Sequence, residues 1–255
     1  MDRLEVSNLS LAFGGLQVLS QLSFQAQAGE LLALIGPNGA GKTSLFNCIS
    51  GLYSPRGSIR FRGRELVGRK PHDIAALGIA RTFQHAELFP QMSVIDNILT
   101  GRHCHFRKQV LGDLLALRSA RQEEAQHREA IDRIITFIEL ERWRTEPVER
   151  LSFGIQKLVG FARALALEPR LLLLDEPSAG LTREEREDLA HFILKTKQES
   201  NIPIIWIEHD LQMVGDIADR ILVLDVGRVI AEGPPQKVLR DPAVISAYIG
   251  AVTNG

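Results

Sequence analysis

One stretch, Gly36-Pro37-Asn38-Gly39-Ala40-Gly41-Lys42-Thr43, limits what this chain can fold into more than any other. It spaces its glycines, lysine and threonine as G-x-x-x-x-G-K-T, a pattern that needs a strand before it and a helix after it. The sequence offers both. Leu31-Leu32-Ala33-Leu34-Ile35 is an apolar run of buried-strand length. Ser44 opens the segment that follows, in which Leu45, Phe46 and Ile49 fall on one helical face before Gly51 stops it. Glycines let such a loop wrap closely, so that successive backbone N–H groups point inward at phosphate oxygens. The helix N-terminus adds partial positive charge. Lys42 brings a full charge to the β- and γ-phosphates of a nucleotide, and the Thr43 hydroxyl is placed to bind Mg²⁺.

Composition narrows the setting. The chain has 255 residues, enough for one large domain or two small ones, and its 45% hydrophobic and 24% charged residues suit a soluble globular protein. A net charge of -1 implies no general affinity for polyanions, which argues against nucleic acid as a partner. No apolar run approaches the roughly 20 residues that span a bilayer. Met1-Asp2-Arg3-Leu4-Glu5 lacks a signal-peptide core, and the two cysteines, Cys48 and Cys104, make no disulfide framework. A cytosolic location is therefore expected, with any membrane contact made through a partner.

The chain order predicts an α/β fold. Residues 4–11 and 18–27 alternate as two strands, with Gly14-Gly15 as a hairpin turn between them. Phe13 precedes that turn and is either a core aromatic or a platform for a nucleotide base. Ile79-Ala80-Arg81-Thr82-Phe83-Gln84 reads as a strand ending in an amide. From about 94 to 148 the pattern turns helical. Ile131, Ile134, Ile135 and Ile138 form an apolar stripe, and the charges between Arg121 and Arg144 form its solvated face. The segment after 151 predicts a helix that buries Leu158, Phe161, Ala162 and Leu165. Leu171–Leu174 is a central strand ending in Asp175-Glu176, and Thr182-Arg183-Glu184-Glu185 is a capping box opening the next helix with Leu189, Phe192 and Ile193 inward. Pro203-Ile204-Ile205-Trp206-Ile207 is another buried strand, ending at Glu208-His209-Asp210. A helix over 211–217, strands near 220–225 and 228–233, and a C-terminal helix complete the chain. Buried strands alternating with helices mean a mainly parallel sheet covered on both faces, with ligands at the carboxyl ends of its strands. Lys42, Asp175, Glu176 and His209 all follow such ends. His103-Cys104-His105 is read as an exposed loop, its adjacent spacing being poor for a tetrahedral metal site. Trp143 and Trp206 are read as packing residues.

Four leucines running into Asp175-Glu176 make a Walker B pattern, in which Asp175 can hold Mg²⁺ and Glu176 can polarise the attacking water. Together with Leu151-Ser152-Phe153-Gly154, which is similar to the signature L-S-G-G-Q, these motifs resemble the nucleotide-binding subunit of an ATP-binding-cassette (ABC) transporter. The resemblance covers essentially the whole chain. It implies a P-loop NTPase core with an antiparallel β subdomain on the N-terminal side and an inserted helical subdomain. The expected arrangement is a single ABC domain over 1–255, with its core at 1–92 and 151–255 and the helical part at about 93–150, continuing into the signature helix.

The resemblance also implies roles. ATP is held by Phe13 and by Gly36, Pro37, Asn38, Gly39, Ala40, Gly41, Lys42, Thr43 and Ser44. Glu176, His209 and Gln84 are catalytic, and Thr43, Gln84 and Asp175 hold Mg²⁺. Leu151, Ser152, Phe153 and Gly154 touch the ATP of an opposing subunit. The implied partners are a second ABC ATPase, identical or related, two transmembrane permease subunits and, indirectly, a periplasmic substrate-binding protein. The implied place is the cytoplasmic face of the cell (inner) membrane. Phe153 and Ile155 depart from the signature, and Thr182 stands where the family often has aspartate. Arg81-Thr82-Phe83-Gln84-His85, Ile207-Glu208-His209-Asp210 and the ending Asp241-Pro242-Ala243-Val244-Ile245-Ser246-Ala247-Tyr248-Ile249-Gly250 look like the importers of branched-chain (hydrophobic) amino acids. Urea importers and lipopolysaccharide exporters are similar alternatives. A soluble cassette ATPase acting on nucleic acid or ribosomes is an alternative of another class.

Overall fold

Leu31–Ile35, Leu171–Asp175 and Ile204–Ile207 are buried at every position. A strand without a polar face has to lie in a sheet covered on both sides, the environment of parallel strands. The computed structural model, which describes residues 2–82, 87–105 and 117–253, sets all three inside one six-stranded sheet. In chain order the first elements are β1 (Arg3–Phe13), β2 (Leu16–Gln27), β3 (Leu31–Ile35), α1 (Lys42–Ile49), β4 (Arg56–Phe61), β5 (Arg64–Glu65), α2 (Pro71–Ala76) and β6 (Ile79–Thr82). Then come α3 (Val94–Thr100), α4 (Leu117–Phe137), α5 (Phe153–Ala166), β7 (Leu171–Asp175), α6 (Arg183–Ser200) and β8 (Ile204–Ile207). The last are α7 (Leu211–Ile217), β9 (Arg220–Asp225), β10 (Arg228–Gly233), α8 (Pro235–Val238) and α9 (Pro242–Thr253). Two compact units result, one made of Met1–Gln84 with Arg170–Gly255, the other of His85–Pro169.

The first unit holds both sheets. The smaller is antiparallel, in the order β2-β1-β4-β5, with β1 and β2 joined at Gly14-Gly15. The larger has the order β10-β9-β3-β8-β7-β6 and is parallel except for the β9–β10 hairpin. This is the expected α/β arrangement with an antiparallel subdomain. Leu4, Leu9 and Phe24 of the small sheet share one core with Leu45 and Phe46 of α1 and with Leu34 and Leu173 of the large sheet. Each such side chain contributes roughly 1.5–3 kcal/mol on burial. Register then sets the site. Ile207 lies opposite Leu34 on one side and Asp175 on the other, so three parallel strands end at one level of one sheet edge.

The second unit is helical. Ile131, Ile135 and Ile138 are buried, with Ile134 half-buried, so the stripe falls on the face of α4 that the sequence assigns to it. In α5 the stripe is rotated. Phe161 and Ala162 are buried as expected, but Leu158 and Leu165 are half-buried, while Val159 and Ala166 are buried in full. The reason is a close approach by α3. At Gly101 a β-carbon would meet the Arg163 carbonyl oxygen at 2.1 Å and the Ala166 methyl at 3.1 Å, a spacing that small residues permit and leucines do not. No described helix is long and apolar enough to cross a membrane.

Candidate functional site

The phosphate loop leaves β3 at Gly36 and enters α1 at Lys42. Gly36 has φ 147, and a β-carbon there would sit 2.0 Å from the Leu224 carbonyl oxygen, so the position takes glycine alone. Its N–H donates to the Tyr248 hydroxyl of α9 at 2.9 Å, across 212 residues of sequence. Desolvation by burial pushes the Tyr248 phenol up from its ordinary value. The first bond of α1 runs from the Leu45 N–H to the Gly41 carbonyl at 2.9 Å, which leaves the amides of Lys42, Thr43 and Ser44 ahead of the helical ladder. Those donors and the helix dipole make an anion cradle. Lys42 is buried against it. Its ammonium donates to the carbonyls of Gly36 at 2.7 Å and Pro37 at 3.1 Å, across the loop's own mouth. Desolvation lowers the Lys42 pKa, and the charges of Glu176 and Asp175 oppose that shift. A phosphate oxygen is a stronger, charge-assisted acceptor than either carbonyl. Phe13 is 47% exposed, and Tyr53 meets it edge-on with centroids 5.0 Å apart. It is therefore a rim aromatic open to a flat ligand rather than a core residue.

The acidic end of the site is assembled from distant segments. Asp175 is buried and accepts from Arg81 Nη2 at 2.6 Å, while Arg81 Nη1 donates to Asn47 Oδ1 of α1 at 2.7 Å. Desolvation raises the Asp175 pKa, and the Arg81 guanidinium pulls it back. One arginine thus ties β6, α1 and the end of β7 together. The Asp175 N–H also donates to the Thr82 hydroxyl at 3.2 Å. Glu176 follows in the left-handed region with φ 46, a conformation a glutamate holds only when its surroundings impose it. What imposes it includes a bond from its N–H to the Ile207 carbonyl at 3.0 Å. The Glu176 carboxylate lies 2.7 Å from His209 Nε2. A carboxylate and an imidazole paired at the sheet's carboxyl edge can accept and relay a proton.

Lys42, Asp175, Glu176 and His209 thus all belong to the first unit and to one edge of its sheet. Gln84 lies outside the described residues. Leu151, Ser152, Phe153 and Gly154 belong to the second unit, where Ser152 is the N-cap of α5 and accepts from the Ile155 N–H at 3.4 Å. Phe153 is exposed, with the Lys157 ammonium 5.3 Å from its ring centre, and Gln156 fixes the Leu151 carbonyl at 3.0 Å. Thr182, the departure from the usual aspartate, caps α6 in a complete capping box with Glu185. Trp206 is fully buried, and its indole donates to Glu208 at 3.1 Å. His103 and Cys104 are exposed on turns, and the His105 ring bonds the Leu167 carbonyl at 2.9 Å. The sequence reading misses Arg81, Tyr248, Tyr53 and Glu208. Arg81 and Glu208 carried a signal, being charges within and just after short, otherwise uncharged strands.

Thr43 and Asp175 offer a hydroxyl and a carboxylate, the hard oxygen donors that Mg²⁺ takes alongside phosphate oxygens and water. Thr43 at the start of α1 and Asp175 at the end of β7 both belong to that carboxyl edge of the sheet, so the donor types suit the ion.

The ABC transporter family profile matches residues 19–179, and that of the branched-chain amino acid ATP-binding cassette transporter matches 228–252. The chain is 37% identical over 248 residues to the high-affinity branched-chain amino acid transport ATP-binding protein BraF of Pseudomonas aeruginosa, covering 97% of each. It is 38% identical over 251 residues to LivG of Escherichia coli (strain K12), which carries the same description, again over 97% of each. A nucleotide-free ATP-binding cassette from an ABC transporter superposes with a TM-score of 0.85 at 30% identity, over 98% of this chain and 100% of that one. A cassette in its ADP conformation gives 0.85 at 31% identity, over 98% and 99%. The chain belongs to the ABC transporter family of nucleotide-binding ATPases, in its branched-chain amino acid ATP-binding cassette group.

Proposed function

We propose that this chain binds ATP with Mg²⁺ and hydrolyses it to power the import of branched-chain amino acids through a pair of permease subunits. The observation that carries the hydrolytic reading is the 2.7 Å contact between Glu176 and His209 at the sheet edge that also carries the phosphate loop. The cargo reading rests on relatives described as branched-chain amino acid transport proteins over nearly the full chain.

Each residue has a task in this reading. Lys42 turns from the Gly36 and Pro37 carbonyls to the β- and γ-phosphates, and the Lys42, Thr43 and Ser44 amides take the remaining oxygens. Thr43, Asp175 and Gln84 hold Mg²⁺, which when bound offsets charge on the phosphate oxygens. Glu176 accepts a proton from the attacking water as its oxygen bonds to the γ-phosphorus and the bond to the ADP oxygen breaks. His209 Nε2 donates to Glu176 at rest, fixing its orientation, and can turn to the γ-phosphate. Phe13 stacks on the adenine. Ser152 of a second cassette faces the γ-phosphate, so that two ATPase subunits close on two nucleotides, and the helical subdomain and the Gln84 segment pass that closure to the permeases. The assembly sits at the cytoplasmic face of the inner membrane, with a periplasmic binding protein delivering cargo. Cells lacking this chain should lose uptake of leucine, isoleucine and valine, and the wild-type gene should restore it. Normal uptake of all three, with failed urea uptake or lipid export instead, would replace the cargo and leave the ATPase standing.

A further inference from the structure

Glu208 sits between the last residue of β8 and His209, and it is 3% exposed. Three donors converge on its carboxylate. Ser178 Oγ and the His209 backbone N–H reach Oε1 at 2.7 and 3.1 Å, and Trp206 Nε1 reaches Oε2 at 3.1 Å. An ionised carboxylate accepts at both oxygens, whereas a glutamine must turn an N–H₂ toward at least one of these donors. The site therefore selects for glutamate by its hydrogen bonding. Such bonds to a charged acceptor are the strong kind and offset its burial.

The three donors differ in what they connect. Trp206 lies only two residues before Glu208, near the end of β8, so its bond stays within one short segment. Ser178 is itself buried and lies two residues beyond Glu176, in the turn closed by the Ala179 N–H on the Glu176 carbonyl at 3.2 Å. The Ser178–Glu208 bond therefore joins the loop that carries Glu176 to the loop that carries His209. We propose that Glu208 is a positioning residue that holds the Glu176 and His209 side chains at their 2.7 Å separation by clamping these two loops together. This rests on the proposed roles of Glu176 and His209. Glu176 has reason to need the clamp, because its left-handed backbone relaxes unless its neighbours over-determine it. Nucleotide binding, which is the work of the phosphate loop, should not depend on it.

The test uses the full-length chain, with ATP titrations on the purified protein and hydrolysis measured in the assembled transporter. Glu208→Gln should lower kcat about tenfold and leave ATP affinity within about twofold. Ser178→Ala, which cuts the bridge and keeps the carboxylate, should lower kcat about fivefold and Tm as well. Trp206→Phe should lower Tm while kcat stays within about twofold, since its bond bridges nothing. In a His209→Ala background, Glu208→Gln should cost clearly less than in the wild type, because part of its effect acts through that pair. The proposal is overturned by wild-type kcat in both Glu208→Gln and Ser178→Ala. It is equally overturned by additive losses with His209→Ala, or by a kcat loss in Trp206→Phe as large as in Ser178→Ala. Full activity in His209→Ala alone would instead remove the underlying role of the histidine.

Discussion

The two ends of this site are built in opposite ways. The proposed phosphate-binding end is one continuous stretch, Gly36 to Ser44, whose cradle forms from the backbone of a single turn entering α1. The acidic end takes Arg81 from β6, Asp175 from the end of β7 and Glu176 just after it, Glu208 and His209 after β8, and Asn47 from α1, all joined by side chains. A local site depends on conformation at a few residues. An assembled site depends on sheet register and on buried charge pairs that hold several segments at once. Damage should therefore separate. Changes at the first end should cost nucleotide affinity, and changes at the second should cost turnover or stability.

The largest effect should come from Lys42→Ala. It removes the charge proposed to meet the phosphates and should weaken ATP binding by about a hundredfold or more, as calorimetric titration can measure. A normal titration would dissolve the local end of the comparison. Next comes Arg81→Leu, which strands a buried Asp175 beside Glu176 without the guanidinium. Breaking a buried pair from one side costs about 3 kcal/mol, to be read from urea unfolding. Arg81→Lys should recover part of it, because the charge stays while the two-armed bridge to Asn47 and Asp175 is lost. Unchanged stability in the leucine variant would mean that the assembled end is not held by this pair. The smallest effect sharpens the contrast, since it tests whether the local end is wholly local. Tyr248→Phe removes one hydroxyl acceptor from the Gly36 N–H and should weaken ATP affinity by roughly threefold to fivefold at nearly constant Tm, the worth of about one hydrogen bond. No change would leave the C-terminal helix with no part in the loop.

The same contrast explains what could be read from the sequence. The hairpin at Gly14-Gly15, the helix stop at Gly51 and the capping box at Thr182 are local signals that the structure reproduces. The buried strands were legible because a run such as Leu171–Leu174 fits only a sheet covered on both faces. Placing Lys42 and Glu176 at one edge needed only the rule that parallel strands end together. Arg81 on Asp175, Tyr248 on Gly36 and Ser178 on Glu208 span 94, 212 and 30 residues, and no periodicity encodes such pairings. In α5 the hydrophobic period located the helix but not the rotation of its buried face, which Gly101 on another helix decides.

The central claim is that Glu176, held by His209, turns a nucleotide-binding fold into an ATPase. Glu176→Gln keeps the shape and cannot take a proton from water. In the assembled transporter its hydrolysis should fall by about 10²–10⁴-fold, the usual worth of a general base. Binding of ATP with Mg²⁺ should match wild type, because Lys42, Thr43 and Asp175 are untouched. Normal binding with turnover reduced by that factor is the predicted result. Turnover at the wild-type rate would contradict the account.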